Sequence, residues 1–166
     1  MRANYIFAFI FVFNLQPMSL EEDIKQHKFK TEAHKAAVNI IYTFNWLDSK
    51  TRDFFKKYDL TPQQFNILRI LRGQHPQPST INLLKERMLD KMCDASRMVE
   101  RLRLKNLLER HTCSNDRRSV DILITKKGLD LLSTIDAEFD KFNAKAINLP
   151  EEELKQLNKL LDKLRG

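Results

Sequence analysis

Residues 107–125, LLERHTCSNDRRSVDILIT, decide the fold of this chain. In their second half, apolar Val120 and Ile122 flank polar Asp121, the alternation of a strand that is buried on one face. The first half predicts a partner strand, and the basic residues 114–118 connect the two. The stretch therefore predicts a β-hairpin with a cationic tip, which is the shape of a wing.

The segment before this hairpin predicts two short helices joined by a tight turn. Ser79 or Thr80 can cap the first helix, and the second runs from about Met92 to Leu104. Such a pair is typical of a helix-turn-helix, although a plain helical hairpin has the same local pattern.

An angular projection of the second helix favours the helix-turn-helix. At about 100° per residue, Arg97 and Arg101 lie one turn apart and away from the apolar arc. Lys91 would point into the core if it were helical, so we expect it to precede the helix, where a lysine can reach a phosphate. The predicted core-facing arc comprises Met92, Ala95, Met98, Val99 and Leu102.

The positive charge of the chain is concentrated around these elements. The 166 residues carry a formal charge of +7, and residues 79–127 hold twelve Lys and Arg against seven Asp and Glu, which is +5. This basic segment favours a nucleic-acid partner, with a solvated charged surface as the alternative. The three glycines argue against β-sandwiches and phosphate-cradling loops, which need several.

The sequence offers no support for catalysis or metal binding. It contains no nucleophile elbow and no phosphate loop, so we expect neither an enzyme nor a cofactor. The four histidines show no metal-ligand spacing with Cys93 and Cys113, so we expect no metal. Two isolated cysteines fit a reducing compartment, which predicts a cytoplasmic protein.

Long amphipathic helices flank the central region. Apolar residues at three- and four-residue steps predict a helix over about 29–58, and Thr61 can cap the next helix, which Gly73 can end. Thr125 can cap a further helix after the hairpin, and a last one follows Pro150. Two copies of the chain can bury these outer stripes against each other, whereas packing on their own lobe is the alternative.

Residues 1–17 differ in composition from the rest of the chain. Their apolar run, Tyr5–Phe13, is nine residues long, short of the roughly 20 that span a bilayer, so we expect no membrane partner. A signal peptide is the alternative, but residues 14–17 lack a small-x-small cleavage signature. We expect Met18 to be the working start, behind an extension that is untranslated or disordered.

The hairpin and its flanks resemble the MarR family of bacterial transcription regulators. Asp116-Arg117-Arg118, followed by Ile122-Leu123-Ile124-Thr125 and then Gly128, is similar to the family's wing motif, Asp-Arg-Arg leading into Leu-Thr-x-x-Gly. Residues 60–65 and 149–154 also resemble family patterns.

This resemblance covers about residues 20–165. It implies a mainly α fold with a small two-stranded β-wing, that is, a winged helix-turn-helix with N- and C-terminal dimerisation helices, and hence a homodimer on double-stranded DNA. The expected parts are the extension 1–17, dimerisation helices 18–58, a DNA-binding lobe 59–125 and dimerisation helices 126–166.

Two recognition helices of such a dimer enter successive major grooves about 34–36 Å apart, which predicts an inverted-repeat operator. Arg97 and Arg101 are the candidates for base-edge contact, since a guanidinium can bond guanine at two atoms. Asp94 can accept from cytosine, or it can pair with Arg97 and fix its aim, which we favour. The expected phosphate contacts are Ser79, Thr80, Lys91 and Ser96.

In the wing, either Arg117 or Arg118 is expected in the minor groove. The resemblance implies that Asp116 orients one of them by a charge-assisted hydrogen bond. Residues 89–96 form a segment one residue longer than is usual in the family, so contacts assigned there can shift by one. Asn106, which replaces a glycine often found before the wing, can adopt the left-handed conformation that ends a helix.

The resemblance also implies a small lipophilic or phenolic effector between the dimer helices and the DNA-binding lobe. Tyr42, Phe44 and Trp46 lie on a helix that can line such a cleft, although core packing is the favoured role for them. Cys93 lies near a positive helix start that would lower the pKa of its thiol, with a structural thiol as the favoured role.

These features predict a sequence-specific transcriptional regulator, a repressor that a small ligand releases from its operator. The alternative is a nucleic-acid-binding or architectural protein without sequence preference or ligand control.

Overall fold

The computed structural model describes residues 19–112 and 120–166. The predictions for the extension 1–17 and for a start at Met18 therefore lie outside the described residues. The described chain is mainly helical with a two-stranded antiparallel sheet, which confirms the predicted fold class.

The elements of the described residues follow the predicted order. In chain order they are α1 (Leu20–Asp23), α2 (Glu32–Lys56), α3 (Pro62–Gln74), α4 (Ile81–Arg87), α5 (Ala95–Leu104), β1 (Leu108–Thr112), β2 (Val120–Ile124), α6 (Lys126–Ala146) and α7 (Glu151–Arg165). Two units share them, one ending at Asn45 and the other running from Trp46 to Gly166.

Helix α3 begins where the sequence predicts and ends later. Thr61 Oγ1 accepts the backbone N–H of Gln64 at 3.2 Å, and Gln64 Oε1 accepts the N–H of Thr61 at 3.0 Å, which confirms the capping box. The predicted end at Gly73 is wrong, because the helix continues through it to Gln74.

The hairpin is joined to the first helix of the helix-turn-helix. Strands β1 and β2 pair with Leu108 opposite Ile124. Ser79 adds a bridge to this sheet, donating its N–H to the Ile122 carbonyl at 2.9 Å and accepting the Ile122 N–H at 2.8 Å. Thr80 then caps α4, which decides between the two predicted caps.

The end of α5, the hairpin and the start of α6 meet at one junction. Asn106 has φ 60°, which confirms the predicted left-handed residue. Thr125 Oγ1 accepts the Gly128 N–H at 3.1 Å and donates to the Asn106 carbonyl at 2.9 Å, so the predicted cap also ties the two chain segments together.

One apolar core fills the second unit. Aromatic rings of α2, α3 and α6 pack at its outer end, where Phe54, Phe55, Phe65 and Phe139 have ring centroids 4.5–5.4 Å apart in neighbouring pairs. The fully buried large side chains are Phe55, Ile67, Leu68, Leu71, Leu84, Met88, Val99, Leu102, Leu108, Ile122, Leu132 and Ile135.

The outer helices bury little of their apolar surface within the protomer. Helix α7 has no buried residue, and in α2 the one buried side chain is Phe55. In the described ranges, none of the helices combines the length and the apolar character needed to cross a membrane.

Helix α1 lies within residues 18–58, where helices are expected, but the sequence predicts no bounds for it. Ser19 caps it by accepting the Glu22 N–H, and the Glu22 side chain returns a bond to the N–H of Ser19 at 2.9 Å. Within the same unit Glu21 pairs with Lys35 of α2. A four-residue helix carries too little periodicity for a pattern to predict it.

Substitution of Gly128 tests the junction. A Cβ there would lie 2.3 Å from the Leu107 carbonyl oxygen and 2.8 Å from Ile124 Cγ1, so Gly128→Ala should lower the free energy of unfolding by about 1–3 kcal/mol in urea titration. Gly73→Ala is the control, because no atom lies within 4 Å of its added Cβ and alanine favours a helix by about 0.5–1 kcal/mol. Equal effects of the two substitutions on the free energy of unfolding would contradict the close approach of α6 to Leu107 at Gly128.

Candidate nucleic-acid interface

Helix α5 starts three residues later than predicted. Asp94 is its N-cap, and Asp94 Oδ1 accepts the backbone N–H of Arg97 at 3.1 Å. The predicted start at Met92, in the core-facing arc, is wrong, because Met92 precedes the helix and is 95% exposed. Ala95 and Leu102 of that arc are buried as expected.

The cap also corrects the role of Asp94. We expected its carboxylate to pair with the Arg97 guanidinium, but the contact that the structure has is with the backbone of Arg97. A carboxylate at a helix N-terminus is stabilised by the N–H groups and by the helix dipole. Asp94 therefore organises the start of α5.

The two predicted base-contacting arginines lie on the exposed face of α5. Arg97 and Arg101 are both exposed, and within residues 19–112 and 120–166 neither guanidinium has a carboxylate in ion-pair range. Arg103, on the same helix, is instead held by Glu100, at 2.8 and 3.0 Å. Arg97 and Arg101 are thus the arginines of this helix whose charge stays open to a ligand.

Glu100 connects the helix to the hairpin. Its carboxylate also contacts the Arg110 guanidinium of β1 at 3.4 Å. The hydrogen bond from Arg103, with the nearby charges of both arginines, holds the pKa of Glu100 below its ordinary value. The carboxylate therefore stays charged and orients two cations that the sequence analysis did not single out.

Side chains of α3 hold the turn between α4 and α5. Asn66 Oδ1 accepts the Leu89 N–H at 3.0 Å, and Gln63 Nε2 donates to Asp90 Oδ2 at 3.4 Å. Asp90 Oδ1 accepts the Met92 N–H at 3.0 Å. The two braces from α3 join residues more than twenty positions apart, so no local sequence signal predicts them.

The predicted phosphate contacts fall into two groups. Lys91 lies before the helix as expected, exposed, with its Nζ donating to the Glu86 carbonyl, and Ser96 is exposed on the first turn of α5. Ser79 is 1% exposed, so its assignment as a side-chain phosphate contact is wrong: the bridge to the hairpin draws it into the core. Half-buried Thr80 caps α4 by accepting the Leu83 N–H at 3.2 Å.

Cys93 does not have the environment of a reactive thiol. Burial, followed by the charges of Asp90 and Asp94, raises its pKa. The direction is opposite to the expected lowering by the helix start, because burial and, after it, the two carboxylates disfavour the thiolate. Cys113, with Asp116, Arg117 and Arg118 of the wing, lies outside the described residues.

The three aromatic residues predicted for an effector cleft are not core residues of the protomer. Tyr42 and Phe44 are exposed in the first unit, 200° apart around α2, so they do not face one cleft. Trp46 belongs to the second unit, where it lines a groove of about 420 Å³ with Phe54 and Phe142. Core packing, the role that we favoured, is wrong within the protomer.

A second cavity, of about 710 Å³, lies beside the C-terminal half of α5. Arg101, Leu104 and Lys105 line it from that helix, with Lys56 of α2 and Gln63 of α3 opposite. In the portion of the chain that the structure describes, no group of three His, Cys, Asp or Glu residues is placed to hold a metal ion.

Residues 60–120 match the family model described as "MarR family". The matched segment starts just before α3 and reaches the first residue of β2, so it contains the helix-turn-helix and most of the hairpin.

Solved structures of transcription regulators share the fold. A MarR-like transcription regulator from Bacillus cereus is 21% identical, with a TM-score of 0.73 over 81% of this chain and 96% of its own. A mutant MarR from E. coli, complexed with operator DNA, is 23% identical, with a TM-score of 0.72 over 83% and 99%. MepR from S. aureus, in complex with DNA, is 21% identical, with a TM-score of 0.69 over 82% and 97%.

Two substitutions of Asp94 separate its capping from its charge. Asp94→Ala should lower the free energy of unfolding by about 1 kcal/mol, whereas Asp94→Asn, which keeps the acceptor, should cost only a few tenths. Urea unfolding at one fixed protein concentration measures both. Equal losses would show that the negative charge, and not the cap, is what stabilises α5.

Proposed function

We propose that this protein is a sequence-specific DNA-binding transcriptional regulator. The proposal is supported by the match of residues 60–120 to the MarR family model and by the fold that the chain shares with MarR-type regulators. The protein acts as a repressor on an inverted-repeat operator, as a cytoplasmic homodimer. One observation carries the proposal most directly: Arg97 and Arg101 stand exposed and without carboxylate partners, among the described residues, on the capped helix of that segment.

Helix α5 is the recognition helix in this proposal. Its N-terminal residues approach the base edges, as in other helix-turn-helix proteins. Arg97, on the first turn, is the principal reader of a guanine, and Arg101, one turn further along, reads a neighbouring base or its phosphate. Asp94, whose carboxylate caps the helix, serves by holding α5 in position.

Phosphate contacts fix the protein on the duplex. Thr80 and Ser96 offer hydroxyls, and Lys91 offers a charge beside the start of α5. Each such contact adds affinity for any sequence and makes binding depend on salt. The wing supplies Arg117 or Arg118 to the minor groove, with Asp116 orienting one of them.

A homodimer follows from the apolar surface that the protomer leaves open. The 15-residue helix α7 has no buried residue, while Leu157, Leu160 and Leu164 stay 40–66% exposed. Helix α2 exposes a similar set that includes Ile41 and Phe44. A second copy that covers both stripes gives the paired recognition helices that an inverted repeat requires.

An effector completes the proposal. The groove that contains Trp46 combines aromatic rings with Lys50 and Lys145, and Lys50 Nζ lies 5.1 Å from the centre of the Trp46 ring. Aromatic walls beside cations suit a small phenolic or aromatic-acid ligand. Because the groove lies between α2 and α6, its occupation can shift the outer helices on which dimer spacing depends.

A selective loss distinguishes this function from DNA coating. Arg97→Ala should lose about 1–3 kcal/mol of discrimination between the operator and random DNA, because a two-point contact to a base edge is lost. Arg103→Ala is the control, since Glu100 holds that guanidinium on the same helix. Competition binding with the selected operator measures both. Equal losses on operator and random DNA for Arg97→Ala would favour the architectural alternative.

Charge placed on the α7 stripe tests the dimer. Leu160→Lys should yield folded monomers by light scattering, because the side chain is already 64% exposed in the protomer but would be buried against a partner. Lys159→Ala, on the polar face of the same helix, should remain dimeric. A wild-type monomer would refute the dimer, and a dimeric Leu160→Lys variant would move the interface off this stripe.

A further inference from the structure

Two large apolar side chains in the turn between α4 and α5 face solvent. Met92 is 95% exposed and Leu89 is 87% exposed, the highest values among the large apolar residues of the described ranges. The exposed residues of α2 and α7 belong to long helical stripes that a second protomer can cover. The turn does not belong to such a stripe. It is short and leads directly into the proposed recognition helix, so we look for a partner other than a second protomer.

The exposure is not a result of a loose backbone. The N–H of Leu89 is bound by Asn66 at 3.0 Å, and the N–H of Met92 is bound by Asp90 at 3.0 Å. Asp90 is braced in turn by Gln63 of α3. The turn is thus held against the core of the lobe while it presents apolar side chains outward, which costs solvation free energy until a partner covers them.

Cations outnumber carboxylates around the turn, four to three over residues 85–97, and two of the three carboxylates bind backbone N–H groups. Lys85 and Arg87 end α4, Lys91 lies within the turn, and Arg97 follows on α5. Of the carboxylates nearby, Asp90 and Asp94 each accept a backbone N–H, and Glu86 lies on α4. An apolar tip among cations fits a partner that is anionic at its rim and carries apolar groups on its floor, which describes the major groove of DNA at a thymine.

We propose that Met92 contacts the 5-methyl group of a thymine in each half-site of the operator. The proposal rests on the function proposed above. Met92 stands two residues before the cap Asp94, at the helix end that enters the groove, whereas Leu89 follows the C-cap of α4. Its flexible thioether side chain adapts to a small apolar surface, and apolar contact is how a protein reads that methyl group.

The geometry limits where this thymine lies. The chain from Met92 to Arg97 covers five residue steps, which span at most about 18 Å. This bound concerns the backbone alone. Because bases of one strand are about 3.4 Å apart, we place the thymine within about five base pairs of the base that Arg97 reads.

Replacement of thymine by deoxyuridine tests the contact, because it removes only the methyl group. The operator is first selected from random duplex DNA with the full chain, and each thymine within that distance is then replaced in both half-sites. At one of these positions, the replacement should weaken binding by the wild-type protein about fourfold for each methyl group removed. With both half-sites replaced the loss should be about fifteenfold, as expected when one methyl group is buried per half-site. The Met92→Ala variant should bind the thymine-containing operator more weakly than the wild-type protein does, by the same factor. Its affinity should not change further when that thymine is replaced by deoxyuridine.

Leu104→Ala is the matched control, since Leu104 is an exposed apolar residue at the opposite end of α5. It should keep the full sensitivity to deoxyuridine. An unchanged thermal midpoint of Met92→Ala, expected for a side chain without buried contacts, shows that the variant is folded.

The failures are distinguishable. Wild-type protein that ignores every deoxyuridine replacement, or Met92→Ala that keeps the wild-type sensitivity, overturns the contact while the regulator remains. A selection that returns no sequence at all overturns the regulator and the contact together.

Discussion

The close approach of helix α6 to the carbonyl oxygen of Leu107 is the constraint on which the helix-turn-helix and its hairpin depend. There is room for this approach only because residue 128 is a glycine. A Cβ atom at this position would collide with that oxygen and with the Ile124 side chain. Asn106 supplies the left-handed backbone that turns the chain out of α5, and Thr125 binds both sides of the junction. The direction of α5, the base of the hairpin and the first turn of α6 are therefore set together.

The features that the sequence predicts well depend on neighbours within a few residues. The caps at Thr61 and Thr125 are of this kind, because the bonded groups lie three residues apart. The predicted start of α5 is too early. Apolar periodicity continues through the turn, so a prediction from periodicity does not detect the cap at Asp94. Ser79 was placed on the surface because its partner, Ile122, is 43 positions away and pairs with it through the backbone alone. Contacts of that kind leave no trace in periodicity or charge.

The distribution of ion pairs refines what the basic composition means. On α5, Glu100 engages Arg103 and reaches across to Arg110 of the hairpin, while Arg97 and Arg101 have no such partner among the described residues. Cations that are held by a neighbouring carboxylate contribute to the fold, and those that are not retain their hydrogen-bond donors for a ligand. Counting charges along the chain does not separate these two groups, since Glu100 lies within one turn of three of these arginines. The separation comes from which face of the helix meets the hairpin.

The outer helices raise a question of stability that the lobe alone does not answer. An isolated helix of about 12–15 residues is marginal in water, and most helical stability in proteins comes from packing of an apolar face. Helix α7 has 15 residues and buries none of them in the protomer, although Leu160 and Leu164 lie on one face. In the proposed homodimer, a second protomer would cover that face and add to the stability of the helix. The proposed association would then stabilise the outer helices, and it would also determine how far apart the two α5 helices of the dimer stand. In the same proposal, a ligand in the groove beside Trp46 would act on that spacing, so that stability, dimerisation and operator choice would be linked through the outer helices.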